Sequence, residues 1–595
     1  MAQTTHKIKK FFFWLIKQKF FPYILVIILS IPAFSFFFKP GIYWNMHDDM
    51  QMVRQLEFEK CLFDGQIPCR WTPDLGFGYG YPLFNFYPPL PSIIGQIFRT
   101  LQFNFVTTVK LTAVVQFILA ACFMYLLVSS IFGPLGGIFS ALFYTYAPYH
   151  ALNIYVRGAM NEAWASVFFP LAFYYSRKLI LEKKPKFIIG LGISFLCLLL
   201  SHNPMVLIFT PILVIWSAFW LITKFQKKLS IWQNIKKQFS VFLKLCLSAI
   251  IAFGLAAFFT IPTLIETKYV SIETMFNGYY HFSAHFVSLY QMFISNFWGD
   301  GGSIWGPNDS MSFMIGYLHW IVPILIIIVS LIQFFKTKKI NSKILLSSIF
   351  IFIGFLTAFM CHERSTPIWF IFPIIQKVQF PWRFLNLTTF VFSLSIGVLP
   401  LILNKFLKLK NQFSYLIIGL ISIVLFSLNI KYFSPVHSGP ITDEQKFSGL
   451  NWERQITSGI YDYLPKTAAK AAISPAKEYI DEVNPKDSLI NISEQQKGTD
   501  WLFFTLSLNQ AAQVTISQLA FPNFQITDNN QKIDYQIDPE FGRMVINLSA
   551  GKHQIFIKLH NTPVRIVSNY ISLVTLLIVA TYLLKPLWNR STSRK

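Results

Sequence analysis

The sequence predicts a polytopic α-helical membrane protein of about twelve or thirteen transmembrane helices, with a small outer β-sandwich before the last helix. Three observations carry that fold class. The chain is 54% hydrophobic and 13% charged, with 64 Phe and a mean hydropathy of +0.47, too apolar for a soluble protein. Apolar stretches able to cross roughly 30 Å of hydrocarbon recur along it. Near residue 431 they give way to short alternating runs, and 431–565 holds fourteen of the 27 acidic residues.

The spans are expected near 20–38, 111–131, 134–149, 162–178, 187–202, 204–222, 240–263, 312–335, 344–361, 384–403, 413–430 and 566–584. In lipid each must be a helix, because no water is present to satisfy exposed backbone groups. The first has a basic flank like a signal peptide, but it is long and lacks a small-residue cleavage site, so a retained anchor is expected. The net charge of +24 is distributed as a membrane protein distributes it. Lys7, Lys9, Lys10, Lys17 and Lys19 precede the first span, and further clusters lie at 177–186, 224–237, 336–343, 405–410 and 585–595. Twelve spans put all six clusters on one side, the cytoplasm by the positive-inside rule. That parity requires Leu90–Phe105 to be re-entrant or interfacial; a thirteenth crossing there is the alternative.

Of the thirteen Asp and Glu before residue 431, only Glu182 then falls inside. Most of the other twelve read as ordinary solvated charges in longer outer loops. Asp48, Asp49 and Glu162 sit at span ends, where a charge facing hydrocarbon costs roughly 2.5–3.5 kcal/mol, so they are expected to line a polar cavity. Cys122, Cys197 and Cys246 lie in apolar spans and read as small hydrophobes. Cys61 and Cys69 share the first outer loop, where a disulfide is open to them. The chain carries no Cys/His metal pattern, P-loop, dinucleotide fingerprint or serine-hydrolase elbow.

Between Asp49 and Asp64, Leu56 and Phe63 alternate with Arg54, Glu57, Glu59 and Lys60, which suggests a short amphipathic helix at headgroup depth. Gly and Pro in 76–89 argue for a shaped loop. Its Tyr79, Tyr81, Phe84, Phe86 and Tyr87 suit a stacking surface for a sugar or lipid chain, or an interfacial aromatic belt. In the C-terminal region Trp501–Leu508, Gln513–Leu519, Gln531–Ile537, Arg543–Leu548 and His553–Leu559 read as strands, with a turn at 549–552. The organisation that follows is a multi-span region 1–430 with a first outer loop 39–89, an outer β-rich region 431–565, and a last helix with a basic tail at 566–595.

Six motifs make a resemblance specific: Met46-His47-Asp48-Asp49, 64–71 (Asp-Gly-Gln-Ile-Pro-Cys-Arg-Trp), Gly78–Phe84, Phe86–Leu90, Tyr155–Met160 and Gln379–Phe384. Together they resemble a bacterial membrane-protein family labelled as related to 6-pyruvoyl-tetrahydropterin synthase. Its layout is similar to the GT-C superfamily of membrane glycosyltransferases. Nothing in the chain resembles a soluble zinc-dependent pterin enzyme. The resemblance implies a polyprenyl-phosphate sugar donor, an envelope glycan, lipid or protein acceptor, and a catalytic carboxylate in the first outer loop. The active site then lies on the extracytoplasmic face of a bacterial cytoplasmic membrane.

Asp48 and Asp49 occupy that loop position. A carboxylate within reach of the acceptor hydroxyl is a suitable general base, and the reading gives that role to Asp48, with Asp49 positioning the acceptor or a divalent cation. The sequence does not separate the two, and alone they are too few ligands for a metal site. A lipid-phosphate leaving group needs cationic donors, for which Arg157, Arg364 and Arg383 are candidates at outer span ends, because the guanidinium fork binds phosphate oxygens bidentately. The structural alternative pairs them with Glu162 or Glu363. His47 is expected to orient the carboxylates, while His202 and His362 suit helix ends. Residues 264–311 are a candidate acceptor-side cover. A transporter or flippase of lipid-linked saccharides, or a non-catalytic envelope-assembly scaffold, stays open from the sequence, although no paired internal repeat is evident.

Overall fold

A computed structural model describes residues 18–592, with side chains through 584. The basic positions 7, 9, 10 and 17 and the side chains of the 585–595 tail lie outside the described residues. The protein is a multi-pass membrane protein with a C-terminal β region before its last helix. Among the described residues nine helices are long and apolar enough to cross a membrane: Phe21–Phe38, Phe105–Phe132, Asn203–Ile222, Ile231–Leu255, Tyr317–Thr337, Ser342–Phe359, Pro381–Phe406, Asn411–Tyr432 and Pro563–Leu584.

The other three expected spans are helical but differ in kind. Residues 134–149 form the twelve-residue Pro134–Thr145, broken before Pro148, whose ring removes a backbone donor. Residues 187–202 form the fourteen-residue Lys186–Leu199, and His202 begins the next helix by accepting the Met205 N–H at 3.3 Å. Met160–Glu182 has 23 residues, long enough to cross, but most of its side chains are sheathed by protein. A helix surrounded by other helices needs no uniformly apolar face. The Leu90–Phe105 stretch is an eleven-residue helix, Leu90–Thr100. At 1.5 Å per residue it reaches about 17 Å, roughly half the hydrocarbon thickness.

The chain divides into two compact units. One comprises the described residues through Asp48, Val109–Ala249 and His281–Pro440; the other comprises Asp49–Thr108, Ile250–Tyr280 and the chain from Ile441 onward. Aromatic packing organises the first. The Phe173 ring lies 4.5 Å from Trp216, 4.9 Å from Phe390, 5.6 Å from Phe209 and 5.8 Å from Phe350. Such pairs add about 0.5–1.5 kcal/mol each beyond their burial, which gives part of the Phe-rich composition a structural role. A short antiparallel ribbon in this unit joins β1 (Ile42–Trp44) to β2 (Ser438–Pro440).

The second unit contains two antiparallel sheets. Their strands are β3 (Ile480–Asn484), β4 (Leu489–Lys497), β5 (Trp501–Leu508), β6 (Ala512–Leu519), β7 (Phe524–Asp528), β8 (Gln531–Ile533), β9 (Gln536–Ile537), β10 (Arg543–Leu548) and β11 (Gly551–Leu559). The sheet orders are β3-β6-β10-β9 and β4-β5-β11-β7-β8. Alternation in β11 is as the sequence suggests: Ile555, Ile557 and Leu559 are buried while Gln554 and Phe556 are exposed. β3, β4 and β7 were not among the expected strands: β3 and β4 do not alternate cleanly, and β7, which does, is only five residues long.

The loop 71–86 belongs to this core. Trp71, Leu75, Phe77, Tyr79, Tyr81, Phe84 and Phe86 are buried with Phe504, Ile516, Ile526, Met544 and Ile557. Gly80 has φ +83°, and a Cβ there would lie 2.3 Å from the Trp71 indole nitrogen, so the close approach admits only glycine.

The expected helix after Asp49 is Gln51–Phe63, but its polar and apolar residues do not separate onto two faces, since Met52, Val53, Phe58 and Cys61 are buried together with polar side chains. Arg54 and Glu57 are buried, and Phe63 is 82% exposed. The polar residues are inside because they find partners: the Arg54 guanidinium lies 4.2 Å from the Tyr87 ring centre, and Glu57 accepts the Asp74 N–H at 3.3 Å beside Lys60. Burial, reinforced by the nearby Asp74 charge, holds the Glu57 carboxyl well above the ordinary value near 4.5. The folded chain therefore keeps a proton that the unfolded chain releases. This contribution to stability is complete below the ordinary glutamate pKa and is lost as pH rises through the raised one. Urea unfolding across about pH 5–8 is expected to show falling stability, and Glu57→Gln to flatten that slope; an unchanged slope would remove Glu57 as its source.

Candidate functional site

The site begins with how the chain delivers residues 46–48. The β1–β2 ribbon is anchored by the Trp44 indole, which donates to the Ile154 carbonyl at 2.9 Å. Beyond the ribbon the chain turns beside 156–158: the His47 N–H donates to the Val156 carbonyl and the Asp48 N–H to the Arg157 carbonyl, both at 3.0 Å. Gly158, at φ +62°, makes the turn, and a Cβ there would lie 2.3 Å from the Met46 sulfur. Glycine thus lets His47-Asp48 and Arg157 run side by side.

Glu162 lies in the first turn of Met160–Glu182 and is 1% exposed. Its Oε2 accepts from Arg157 at 2.9 Å and from the Arg383 Nε at 3.3 Å, and its Oε1 accepts the Tyr149 hydroxyl at 2.8 Å. Arg157 follows the π-helical turn Leu152–Val156, also donates to Asn153, and stacks 4.3 Å from the Trp382 ring centre. Arg383 donates to the Val378 carbonyl at 2.8 Å and to Gln379 at 3.1 Å. One carboxylate thus meets two guanidinium groups, and the half-buried Asp48 carboxylate acts on Arg157 from beside them. Burial alone disfavours the Arg157 cation, but Glu162, Tyr149 and Asp48 more than offset it and hold its pKa above the usual arginine value.

Around His47 there is a second set of contacts. Its Nε2 donates to the Asp300 carbonyl at 2.9 Å, and the Asp300 carboxylate lies 2.6 Å from His437 Nδ1. Asp300 comes from the expected cover segment, whose part from His281 onward belongs to this unit. The same part contributes to a cavity of about 240 Å³ lined in part by Trp305, Gly306, His362 and Glu363. Among the described residues no group of three or more His, Cys, Asp or Glu is arranged to hold a metal ion.

Asp48, His47, Arg157, Glu162 and Arg383 therefore share one unit, and backbone or side-chain bonds tie them into the two sets of contacts just described. The remaining sequence candidates are elsewhere. Asp49 belongs to the second unit and forms an ion pair with the buried Lys446. Arg364 is exposed on the turn Glu363–Ser365, outside the Glu162 network, and its N–H is capped by His362. Tyr79 and Tyr81 are buried in the β core and present no stacking face. The Tyr79 hydroxyl donates to Asp481 at 3.0 Å, and that of Tyr81 donates to the Gly459 carbonyl at 2.7 Å. Tyr87 is half-buried beneath Arg54. Cys61 and Cys69 are disulfide-bonded.

Tyr149, Asn153, His437 and Lys446 had no role from the sequence, and Asp300 only that of an outer acidic residue in the expected cover segment. Gln379 and Trp382 stood inside a family motif without an assigned role. Tyr149 and Asn153 lie close in sequence to their partners Glu162 and Arg157, whereas Asp300, His437 and Lys446 reach theirs through distant parts of the chain.

No family model matches the chain. An uncharacterised protein of Lactococcus lactis subsp. cremoris (strain MG1363) is 26% identical over 257 residues, which is 42% of this chain and 41% of that protein. The chain is similar to two solved structures at low identity. The mycobacterial arabinofuranosyltransferase AftD matches at 12% identity and a TM-score of 0.40, over 72% of this chain and 28% of that one. The Archaeoglobus fulgidus oligosaccharyltransferase matches at 13% identity and a TM-score of 0.39, over 77% of this chain and 59% of that one. The matched region thus spans under two thirds of each of these proteins.

Proposed function

We propose that the chain is a GT-C-type membrane glycosyltransferase, transferring a sugar from a polyprenyl-phosphate donor to a glycan, lipid or protein acceptor on the outer face of a bacterial cytoplasmic membrane. The observation that carries this reading is the Arg157–Glu162–Arg383 network, in which two guanidinium groups converge on one carboxylate, hydrogen-bonded through the Arg157 backbone to the turn bearing Asp48. The quoted motifs supply the family-level expectation. The pterin-related label gains no support from the comparisons and plays no part in the chemistry.

In this reaction the acceptor hydroxyl oxygen attacks the anomeric carbon while Asp48 takes its proton as general base. The anomeric carbon–oxygen bond to phosphate breaks, and its electron pair leaves on the phosphate oxygen. Arg157 and Arg383 hold the developing charge, a form of preorganised stabilisation that typically contributes about 10²–10³ in rate. Glu162 orients both guanidinium groups before the donor arrives, and His47, held on Asp300, steadies the turn carrying Asp48. Asp49 is ion-paired with Lys446.

Purified protein in lipid, supplied with a panel of polyprenyl-phosphate sugars, tests the proposal. Asp48→Asn is expected to lower sugar transfer by roughly 10²–10⁴ with donor binding retained; near-normal turnover would remove Asp48 from the base role. Tight donor binding without sugar release by the wild type, across varied acceptors and cations, would favour a flippase or scaffold instead.

Arg383→Ala is expected to weaken donor binding by about 1.5–3 kcal/mol, the value of a hydrogen bond to a charged group. Unchanged affinity for the lipid phosphate would count against its role. Glu162→Gln leaves two buried cations facing each other and is expected to lower stability by about 3–5 kcal/mol in denaturant unfolding. A loss below 1 kcal/mol, roughly that of an exposed pair, would show that solvent reaches the network.

A further inference from the structure

The second unit contains a cavity that the proposed transfer does not use. It measures about 200 Å³, and its lining includes Ile67, Arg70, Asp500, Lys558, His560 and Arg565. At about 30 Å³ per water, that volume accommodates a tetrahedral anion with part of its hydration shell.

Both arginines are buried, Arg70 at 5% and Arg565 at 1% exposure. Arg70 donates to Asn85 at 2.9 Å, to the Phe258 carbonyl at 3.0 Å and to Asn569 at 2.9 Å. Arg565 donates through Nε to Glu266 at 2.9 Å, and that carboxylate also accepts from Thr562 at 2.6 Å and Asn85 at 2.8 Å. Two donors remain: Arg70 Nε and Arg565 Nη2 are buried and have no hydrogen-bond partner among the described residues. Leaving a buried donor unsatisfied costs about 1–3 kcal/mol, more when it is charged, so an acceptor-rich ligand is favoured beside them.

Charge points the same way. Arg70, Arg565 and Lys558 outnumber Asp500 and Glu266 by one, and His560 adds to the excess when protonated. Burial first, then the neighbouring Arg565 charge, lowers the Arg70 pKa to about 9, so an anion would relieve a repulsion already present.

The position selects the source of the anion. Arg565 lies in the first turn of the last apolar helix, Pro563–Leu584, where Ile566, Val567 and Tyr570 are exposed, and Ile67 beside the cavity is 72% exposed. A phosphate at the start of a membrane span with apolar surface beside it is the arrangement of a lipid headgroup and its chains. We propose that this cavity binds the phosphate headgroup of an anionic membrane lipid, with Arg70, Arg565 and Lys558 as its donors and the start of the last helix against its acyl chains.

Calorimetric titration of the full chain in neutral maltoside micelles with dihexanoylphosphatidic acid, and separately with inorganic phosphate, tests this. Saturable lipid binding is expected, weakened roughly tenfold or more in Lys558→Gln and in Arg565→Gln, the loss of one charge-assisted hydrogen bond. Lys558 is only half-buried, so its variant remains informative if Arg565→Gln fails to fold. Arg383→Gln is expected to retain this binding, which separates the cavity from the proposed donor site.

Three outcomes overturn the proposal: no saturable binding, affinity unchanged in Lys558→Gln, or loss confined to Arg383→Gln. Inorganic phosphate binding as tightly as the lipid would overturn the lipid assignment and leave a site for free phosphate.

Discussion

The shared hold of Arg157 and Arg383 on the Glu162 carboxylate is the interaction on which the candidate site depends. Removing three charges from water costs several kcal/mol per ion, recovered only when geometry and additional hydrogen bonds are good. Here Tyr149, Asn153, Gln379 and the Val378 carbonyl supply those bonds. The Asp48 carboxylate acts on Arg157 from beside this network, so the guanidinium pair and the proposed base share one electrostatic environment. A phosphate oxygen is a suitable further acceptor for the two guanidinium forks, which gives the transfer proposal its physical basis.

The second unit reaches a related solution with different parts. Arg565 pairs directly with Glu266, while Arg70 is connected to the same carboxylate through Asn85. Again two guanidinium groups share one acid. In both clusters the arginines come from segments far apart in the chain, so each unit needs its tertiary structure before its charge pattern exists. The functional proposals differ because the first cluster is bonded through the Arg157 carbonyl to the turn bearing Asp48, while the second borders a cavity at the beginning of an apolar helix.

The glycine- and tyrosine-rich loop after the disulfide shows how local composition can mislead. Aromatic residues near a membrane span suggest a belt or a carbohydrate platform. Tyr79 and Tyr81 instead complete the β core, with their hydroxyls satisfied by Asp481 and the Gly459 carbonyl. The same supply of partners draws Arg54 and Glu57 inside along Gln51–Phe63, since a buried Glu57 or Arg54 is tolerated wherever another element brings a countercharge, a backbone donor or an aromatic face.

By itself the sequence determined the membrane class, the location of most apolar helices, the β region before the last of them, and the strands at 501–508 and 543–559. These follow from local periodicity and from the cost of burying backbone groups in lipid. Its motifs also singled out Asp48, Arg157 and Arg383, and a span-end position singled out Glu162. Tertiary structure decided that Arg157 and Arg383 meet on Glu162, that Asp49 is bound to Lys446, that Arg364 stays apart, and that the tyrosine loop is core. It also revealed the cavity beside Arg70 and Arg565. The reason is physical: a charged or aromatic side chain is placed by the partner that satisfies it, and although Arg157 is near Glu162 in sequence, Arg383 reaches it, and Lys446 reaches Asp49, from hundreds of residues away, beyond any local pattern.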